Sequence, residues 1–390
     1  MISVEDALER LFELVEPLEH EEVPLSQAAG SVLAKDVSAR RDQPPFAASA
    51  MDGYAICKSD YQAGTVLNVI GESAAGTRFE GTLETGQAVR IFTGAPIPEG
   101  ASWVAIQEDV DAKDTQITIR ETTETSAYIR PAGTDFKSGQ VLEAGQIITP
   151  QLSALLASMN IGRVSVTRRP DIALISTGTE LVMPGETPGD DQIIASNTFG
   201  LKAMLEQLGA IVRILPIAHD TLPALNTAFH LAQGADLIIT IGGASVGDHD
   251  LVGGVTEALG MERAFYKVAM RPGKPLMAGK IGKSAMIGLP GNPVSAMVCG
   301  TIFVTPIVRA MLGLGKSPVP HQFATLTKDM PKNGPRAHYM RATFSNGEIT
   351  PFERQDSGLL SVLAQANALL LRPPHDDAKK AGEEVTFVPL

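Results

Sequence analysis

The stretch that most narrows the choice of fold is residues 236–250, DLIITIGGASVGDHD. Leu237 to Ile241 is a short apolar, β-branched run, which is how a strand buried on both faces of a parallel sheet reads. It opens straight into Gly242 and Gly243, then Ser245, Gly247, Asp248, His249 and Asp250. In doubly wound α/β folds, ligands bind at such loops, beyond the carboxyl ends of the strands. The spacing of Gly242 and Gly247 imitates a Walker A loop, but Asp248 and His249 stand where Lys and Ser or Thr are needed, and G-x-G-x-x-G does not fit either. Acids facing a bound anion need a metal ion between them. The competing reading is a tight βα turn whose acids cap the next helix. These residues leave both readings open, and His249 has no role in either.

The segments around this stretch repeat its rhythm. Residues 171–177, 211–217, 265–269, 276–278 and 285–289 read as strands. Ser196 or Asn197 caps a helix closing at Gly209, and Asp220 caps one closing at Gly234. Strands alternating with helices of this length predict βαβ units and a parallel sheet. Residues 289–308 carry no charge, but Pro290, Asn292, Pro293 and Pro306 interrupt them, which favours a buried helix over a membrane span.

On the N-terminal side, Ser3 and Asp6 form a capping pattern ahead of Leu8, Leu11, Phe12 and Val15, and the helix ends before Pro17. Runs at 66–70, 88–92, 103–107 and 116–119, amid frequent Gly and Thr, predict an all-β unit. Pro150 opens another helix over 151–159, which Gly162 ends. After Pro318 and Pro320 the pattern is β again: 323–327, a hairpin of 339–344 and 348–352 turning at Asn346-Gly347, then 368–372 and 385–388. The expected architecture is therefore multidomain α/β plus all-β. Residues 1–44 and 147–168 form a helical/mixed linker domain, and 45–146 a β domain inserted into it. Residues 169–316 form the doubly wound α/β domain and 317–390 a C-terminal β-barrel-like domain.

A net charge of −12 over 390 residues leaves no basic face for nucleic acid, though local cations can serve a small anion. Cys57 and Cys299 have neither disulfide nor zinc spacing and read as reduced thiols of a cytoplasmic protein. The acidic N-terminus has no signal-peptide pattern.

Several clusters carry chemistry, each beside a plainer reading. In SAMDGYA (49–55), Asp52 suits a turn in which it accepts backbone bonds. TGAPIPEG (93–100) is a proline-stiffened loop offering the Thr93 hydroxyl. Asp135 in AGTDF has no case of its own. STGTEL puts Glu180 after the first α/β strand, near the glycine loop. Asp220 is fully explained as an N-cap. YKVAMRPGKP gathers Lys267, Arg271 and Lys274 on a strand and a stiff turn. LPGNP, with Pro290, Gly291, Asn292 and Pro293, leads into a helix N-terminus whose free amides suit an anion. Together these describe a site for a polyanion handled with a divalent metal.

SAMDGYA, TGAP, STGTEL, GGASVGDHD, RPGKP and LPGNPVSA, in that order, resemble the molybdopterin molybdenumtransferases, the MoeA family that includes the gephyrin E domain. The resemblance covers essentially the whole chain. It implies an elongated homodimer of four-domain subunits, including a MoaB/Mog-like α/β domain, with the active site between the α/β domain of one subunit and the inserted β domain of the other. It implies that adenylylated molybdopterin and molybdate react in a Mg²⁺-dependent step that releases AMP and leaves molybdenum on the dithiolene. By motif, the functional acids fall on Asp52, Asp135, Glu180, Asp220 and Asp250, with Glu180, Asp220 and Asp250 as Mg²⁺ ligands, and the threonine on Thr93. Substrate contacts fall on Gly242, Gly243, Ser245, Gly247, Lys267, Arg271, Lys274, Pro290, Gly291, Asn292 and Pro293, with Arg341 and Ser357 or Ser361 from the C-terminal domain. Ala47-Ala48, Thr179 and Arg271 depart from frequent family residues. The family's other activities supply alternatives, a non-catalytic cofactor-binding scaffold or a molybdopterin adenylyltransferase. Molybdopterin adenylyltransferase and apo-molybdoenzymes are the implied partners.

Overall fold

The structure, a computed structural model, describes residues 1–120, 125–243 and 251–390. Helix α1 (Val4–Glu13) starts at Ser3, whose hydroxyl accepts from the Asp6 amide while the Asp6 carboxylate takes the Ser3 amide, a reciprocal capping box. Its buried face, Val4, Ala7, Leu8 and Leu11, packs into the core of the α/β unit. Strand β1 (His20–Pro24) lies far along the chain from its partner.

The inserted β unit follows: β2 (Gly53–Ile56), β3 (Val66–Ser73), β4 (Gln87–Ile91), β5 (Trp103–Ile106), β6 (Val110–Lys113) and β7 (Gln116–Ile119). They form one sheet in the order β5-β2-β4-β3-β7-β6. Residues 50–52 bend, with Asp52 accepting a backbone amide as the turn reading expects, and the chain enters strand β2 at Gly53. Gly53 permits it, because a Cβ there would run into the Ala105 carbonyl of the neighbouring strand. Helix α2 (Pro150–Ser158) is capped by Thr149, whose hydroxyl accepts from the Leu152 amide. It ends at Asn160, at φ +64°, rather than at Gly162: Asn tolerates the left-handed conformation that closes a helix. Strand β8 (Arg163–Thr167) then pairs antiparallel with β1.

The α/β unit comprises β9 (Asp171–Ser176), α3 (Asn197–Gln207), β10 (Ile211–Ile214), α4 (Leu222–Leu231), β11 (Leu237–Ile241), α5 (Leu251–Ala258), β12 (Glu262–Tyr266), β13 (Met270–Arg271), β14 (Met277–Ile281) and β15 (Ser284–Leu289). The sheet order is β10-β9-β11-β15-β14-β12. The first four strands are parallel, as the βαβ rhythm predicts, and β14 runs antiparallel to both its neighbours. The cause is local: only Gly282 and Lys283 join β14 to β15, and a two-residue connection makes a hairpin. All five residues of β11 are buried. Leu237, Ile239 and Ile241 face the core shared with α1 and α3, while Ile238 faces that of α4 and α5. Arg168 forks onto Asp236 with two 2.7 Å bonds and fixes the start of β11.

The uncharged run becomes α6 (Pro293–Cys299), a π turn (Gly300–Val304) and α7 (Thr305–Met311). This 19-residue helix is 78% buried inside the protein, the core helix its prolines and Asn292 suggested. The C-terminal strands β16 (Gln322–Leu326), β17 (Ala337–Ser345), β18 (Glu348–Pro351), β19 (Ala368–Arg372) and β20 (Glu384–Pro389) close into a five-stranded barrel through β17–β19 pairing. Asn346 and Gly347, at φ +53° and +82°, make the expected turn. Strand β13 adds to β17, with Arg271 opposite His338, so the α/β unit and the barrel share a sheet edge.

Candidate active site

Chain order reverses between β9 and β11: α3 leads from β9 to β10 on one side, and α4 crosses back to β11 on the other. Their carboxyl ends and that of β15 flank a cavity of about 700 Å³, at the switch point where doubly wound sheets bind ligands. Its lining includes Glu180, Asp220, Gly242, Gly243 and the loop Pro290–Gly291–Asn292–Pro293. Gly242 and Gly243 both have positive φ (+90° and +65°), and a Cβ on Gly243 would lie 2.7 Å from Thr177 Oγ1 and run into Val252. The turn therefore excludes side chains, leaving its floor to backbone. Asn197 donates a 2.8 Å bond to the Gly291 carbonyl and pins the Pro290–Pro293 loop to α3.

Asp220 is not the helix cap. Thr221 caps α4, its hydroxyl accepting from the Ala224 amide, because at φ −137° it holds the extended conformation an N-cap requires. Among the described residues the Asp220 carboxylate takes one bond, from the Thr179 amide at 3.4 Å, none from α4, and lines the cavity. The Glu180 carboxylate folds back over Gly178, in space a side chain there would fill. Two carboxylates on one cavity wall suit Mg²⁺, a hard ion that takes one or two carboxylates with waters and substrate phosphate oxygens. Among the described residues no group of three or more potential metal ligands gathers. The remaining expected residues of the loop, Ser245, Gly247 and Asp250, lie outside the described residues.

A smaller cavity of about 270 Å³ adjoins this one, sharing Pro275 and Asn292. Arg271, Lys274 and Arg336 line it, with Asn292, Ser295, Ser357 and one acid, Asp356. None of the three cationic groups meets a protein acceptor among the described residues, so the charge is available to a small oxyanion. Arg336 went unrecognised in the sequence, where Gly-Pro-Arg suggests only a turn; the β13–β17 pairing brings it beside Arg271.

Three expected residues lie outside both cavities. Lys267 is in neither cavity; its backbone turns at φ +70° and its ammonium lies 4.8 Å from the Tyr266 ring centroid. Arg341 is 1% exposed, and its guanidinium donates to Gln355 Oε1 and the Asp356 carbonyl, which holds the 354–357 loop. Ser361 is exposed and lines neither cavity. At the Pro293 helix start, the Val294 amide already donates to the Ser357 carbonyl.

Asp52, Thr93 and Asp135 belong to the inserted unit. Asp52 Oδ1 accepts from the Thr93 amide at 2.7 Å and the Thr93 hydroxyl at 2.8 Å. Those two bonds, the amide's first, hold the carboxyl below the usual carboxylate range. Gly94 and Asp135 line a cavity of about 920 Å³ with Arg41, Phe46 and Arg130. Asp52 and Thr93 do not line that cavity, and none of Asp52, Thr93 and Asp135 lines the switch-point cavity.

Comparisons with known proteins match the chain in three parts. Residues 2–160 match the MoeA N-terminal region (domains I and II), 173–310 a probable molybdopterin binding domain, and 324–390 the MoeA C-terminal region (domain IV). The chain is 37% identical over its full length to the molybdopterin molybdenumtransferase of Haemophilus influenzae, covering 98% of that protein. It is 33% identical to the enzyme of that name from Nostoc, covering all of this chain and 94% of the relative. Among solved structures, a molybdopterin biosynthesis MoeA protein from Pyrococcus horikoshii superposes with a TM-score of 0.85 at 28% identity, covering both chains completely. The chain belongs to the MoeA family of molybdopterin molybdenumtransferases, enzymes of molybdenum cofactor biosynthesis.

Proposed function

We propose that this chain inserts molybdenum into adenylylated molybdopterin, cleaving the phosphoanhydride and releasing AMP. One observation carries the reading: a switch-point cavity bearing Glu180 and Asp220 adjoins a small cavity ringed by Arg271, Lys274 and Arg336. The larger takes the nucleotide and its phosphates against the Gly242–Gly243 backbone. The smaller takes molybdate, a compact oxyanion matched to three cations. Glu180 and Asp220 would hold Mg²⁺, which when bound neutralises developing phosphate charge. The two carboxylates also orient a water for attack on the α-phosphorus. The anhydride P–O bond breaks and molybdopterin leaves with its own phosphate, next to the molybdate.

The inserted unit's Asp52, Thr93 and Asp135 complete the site from a second copy of the chain, a reading supported by none of the three lining the nucleotide cavity of their own chain. That separation supports a homodimer. The barrel's Arg336 and Ser357 in the oxyanion cavity favour insertion over adenylylation. The adenylylated substrate comes from an adenylyltransferase, and apo-molybdoenzymes receive the product. A cytoplasmic location fits free Cys57 and Cys299.

Purified protein supplied with adenylylated molybdopterin, Mg²⁺ and molybdate should release AMP and yield cofactor that reconstitutes an apo-molybdoenzyme. No AMP release would refute the reading; ATP consumption on unadenylylated molybdopterin would replace it with adenylylation.

A further inference from the structure

We propose that Arg90 is a positioning residue for Asp52 and Thr93, working through the Gly53 peptide and Gln107 without touching substrate. The inference rests on the reading that Asp52 acts in the reaction.

Arg90 sits on β4 directly opposite Tyr54 on β2. Its guanidinium carbon lies 5.0 Å from the Tyr54 ring centroid and 4.8 Å from that of Phe92. One arm of the fork donates to the Gly53 carbonyl at 3.2 Å, the other to Gln107 Oε1 at 3.0 Å. The Gln107 backbone N–H, at the other end of that residue, donates to the Asp52 carbonyl at 3.1 Å. The two peptides that follow Asp52, those carrying the Asp52 and Gly53 carbonyls, are thus fixed from outside. Its carboxylate is fixed from within, Oδ1 taking both bonds from Thr93. Oδ2 takes no hydrogen bond among the described residues and is the oxygen left for chemistry.

Arg90 makes no ion pair with Asp52, so its charge helps keep the carboxylate ionised while leaving Oδ2 unoccupied. A long side chain held by two rings and two bonds has lost the freedom a surface arginine normally keeps. The planar fork matters: lysine can supply the charge but not two fixed donors.

The test uses full-length R90Q, R90K, Q107A, D52N and R90Q/D52N, assayed for AMP release across pH with folding checked by thermal melting. R90Q should lower kcat about tenfold or more, with KM for adenylylated molybdopterin changed by less than about twofold. The acidic limb of the kcat profile, set by Asp52 ionisation, should move to higher pH. R90K should fall between R90Q and wild type. Q107A, which keeps the stacked guanidinium, should lower kcat partially and carries the test if R90Q does not fold. The double variant should be no slower than D52N alone. R90Q and Q107A with wild-type kcat and acidic limb, beside an inactive D52N, would overturn this inference alone. Multiplicative losses in the double variant would also overturn it. A fully active D52N would overturn the reading of Asp52 and this inference with it.

Discussion

Exchanging two adjacent side chains, Asp220→Asn and Thr221→Ala, separates a helix cap from a site residue. Thr221 caps α4 through its hydroxyl, so Thr221→Ala should cost about 1 kcal/mol, the usual loss for a threonine cap. Local opening of Leu222–Leu231 then becomes about fivefold more frequent, and its amides exchange correspondingly faster. Among the described residues the Asp220 carboxylate takes one bond, from the Thr179 amide at 3.4 Å, and none from α4. Asparagine keeps an oxygen acceptor there, so Asp220→Asn should change stability by less than about 0.5 kcal/mol. The lost charge on the cavity wall should still lower kcat for AMP release about 10²-fold, the scale of losing one preorganised electrostatic group. Hydrogen exchange by mass spectrometry on α4 and an AMP-release assay read the two effects. If Asp220→Asn speeds exchange in α4 and retains kcat, Asp220 is the cap and the reasoning fails.

Three further outcomes follow from the geometry. Gly243→Ala meets φ +65° as well as Thr177 Oγ1 and Val252, so it should cost about 1–2 kcal/mol in backbone strain alone and abolish AMP binding by calorimetry; unchanged binding would contradict a backbone-floored nucleotide site. Arg336→Gln should weaken molybdate binding about tenfold while leaving AMP affinity intact, and equal losses of both ligands would merge the two cavities. His338 has its pKa pushed down to about 4, by burial first and then by Arg271, Arg341, Arg336 and Arg372. A lowered pKa means that the unfolded chain binds the extra proton below about pH 6.5 while the folded one does not. The stability present above that pH is therefore lost as pH falls from about 6.5 towards 4, by ~3 kcal/mol in full. Thermal melts of wild type and His338→Gln over this range check it: the variant should lose much less, and parallel curves would refute the assignment.

Much of the fold was legible because it depends on near neighbours. The Ser3–Asp6 capping box, the Asn346-Gly347 turn and the buried run Leu237–Ile241 each carry their reason within a few residues. What eluded the sequence depends on backbone angles or on distant pairing. Asp220 and Thr221 are both good caps by type, and only the extended φ of Thr221 decides between them. Arg336 and Arg341 look alike in sequence, yet the barrel buries Arg341 against Gln355 while β13 pairing draws Arg336 to the oxyanion cavity. The hairpin at Gly282-Lys283 was readable but was overridden by the βαβ rhythm around it. Lys267 was grouped with Arg271 and Lys274 by proximity in sequence, and the turn at its positive φ takes it elsewhere.

Subunit mixing tests most directly whether two half-sites from different copies make one active site. Asp52→Asn and Asp220→Asn chains, each inactive alone, are unfolded together, refolded at equal ratio and assayed for AMP release. Random pairing makes half the dimers mixed, and each mixed dimer holds one site with both wild-type residues, so activity should return to about a quarter of wild type. A mixture as inactive as its components would place Asp52 and Asp220 in the same subunit's site and contradict the shared-site account.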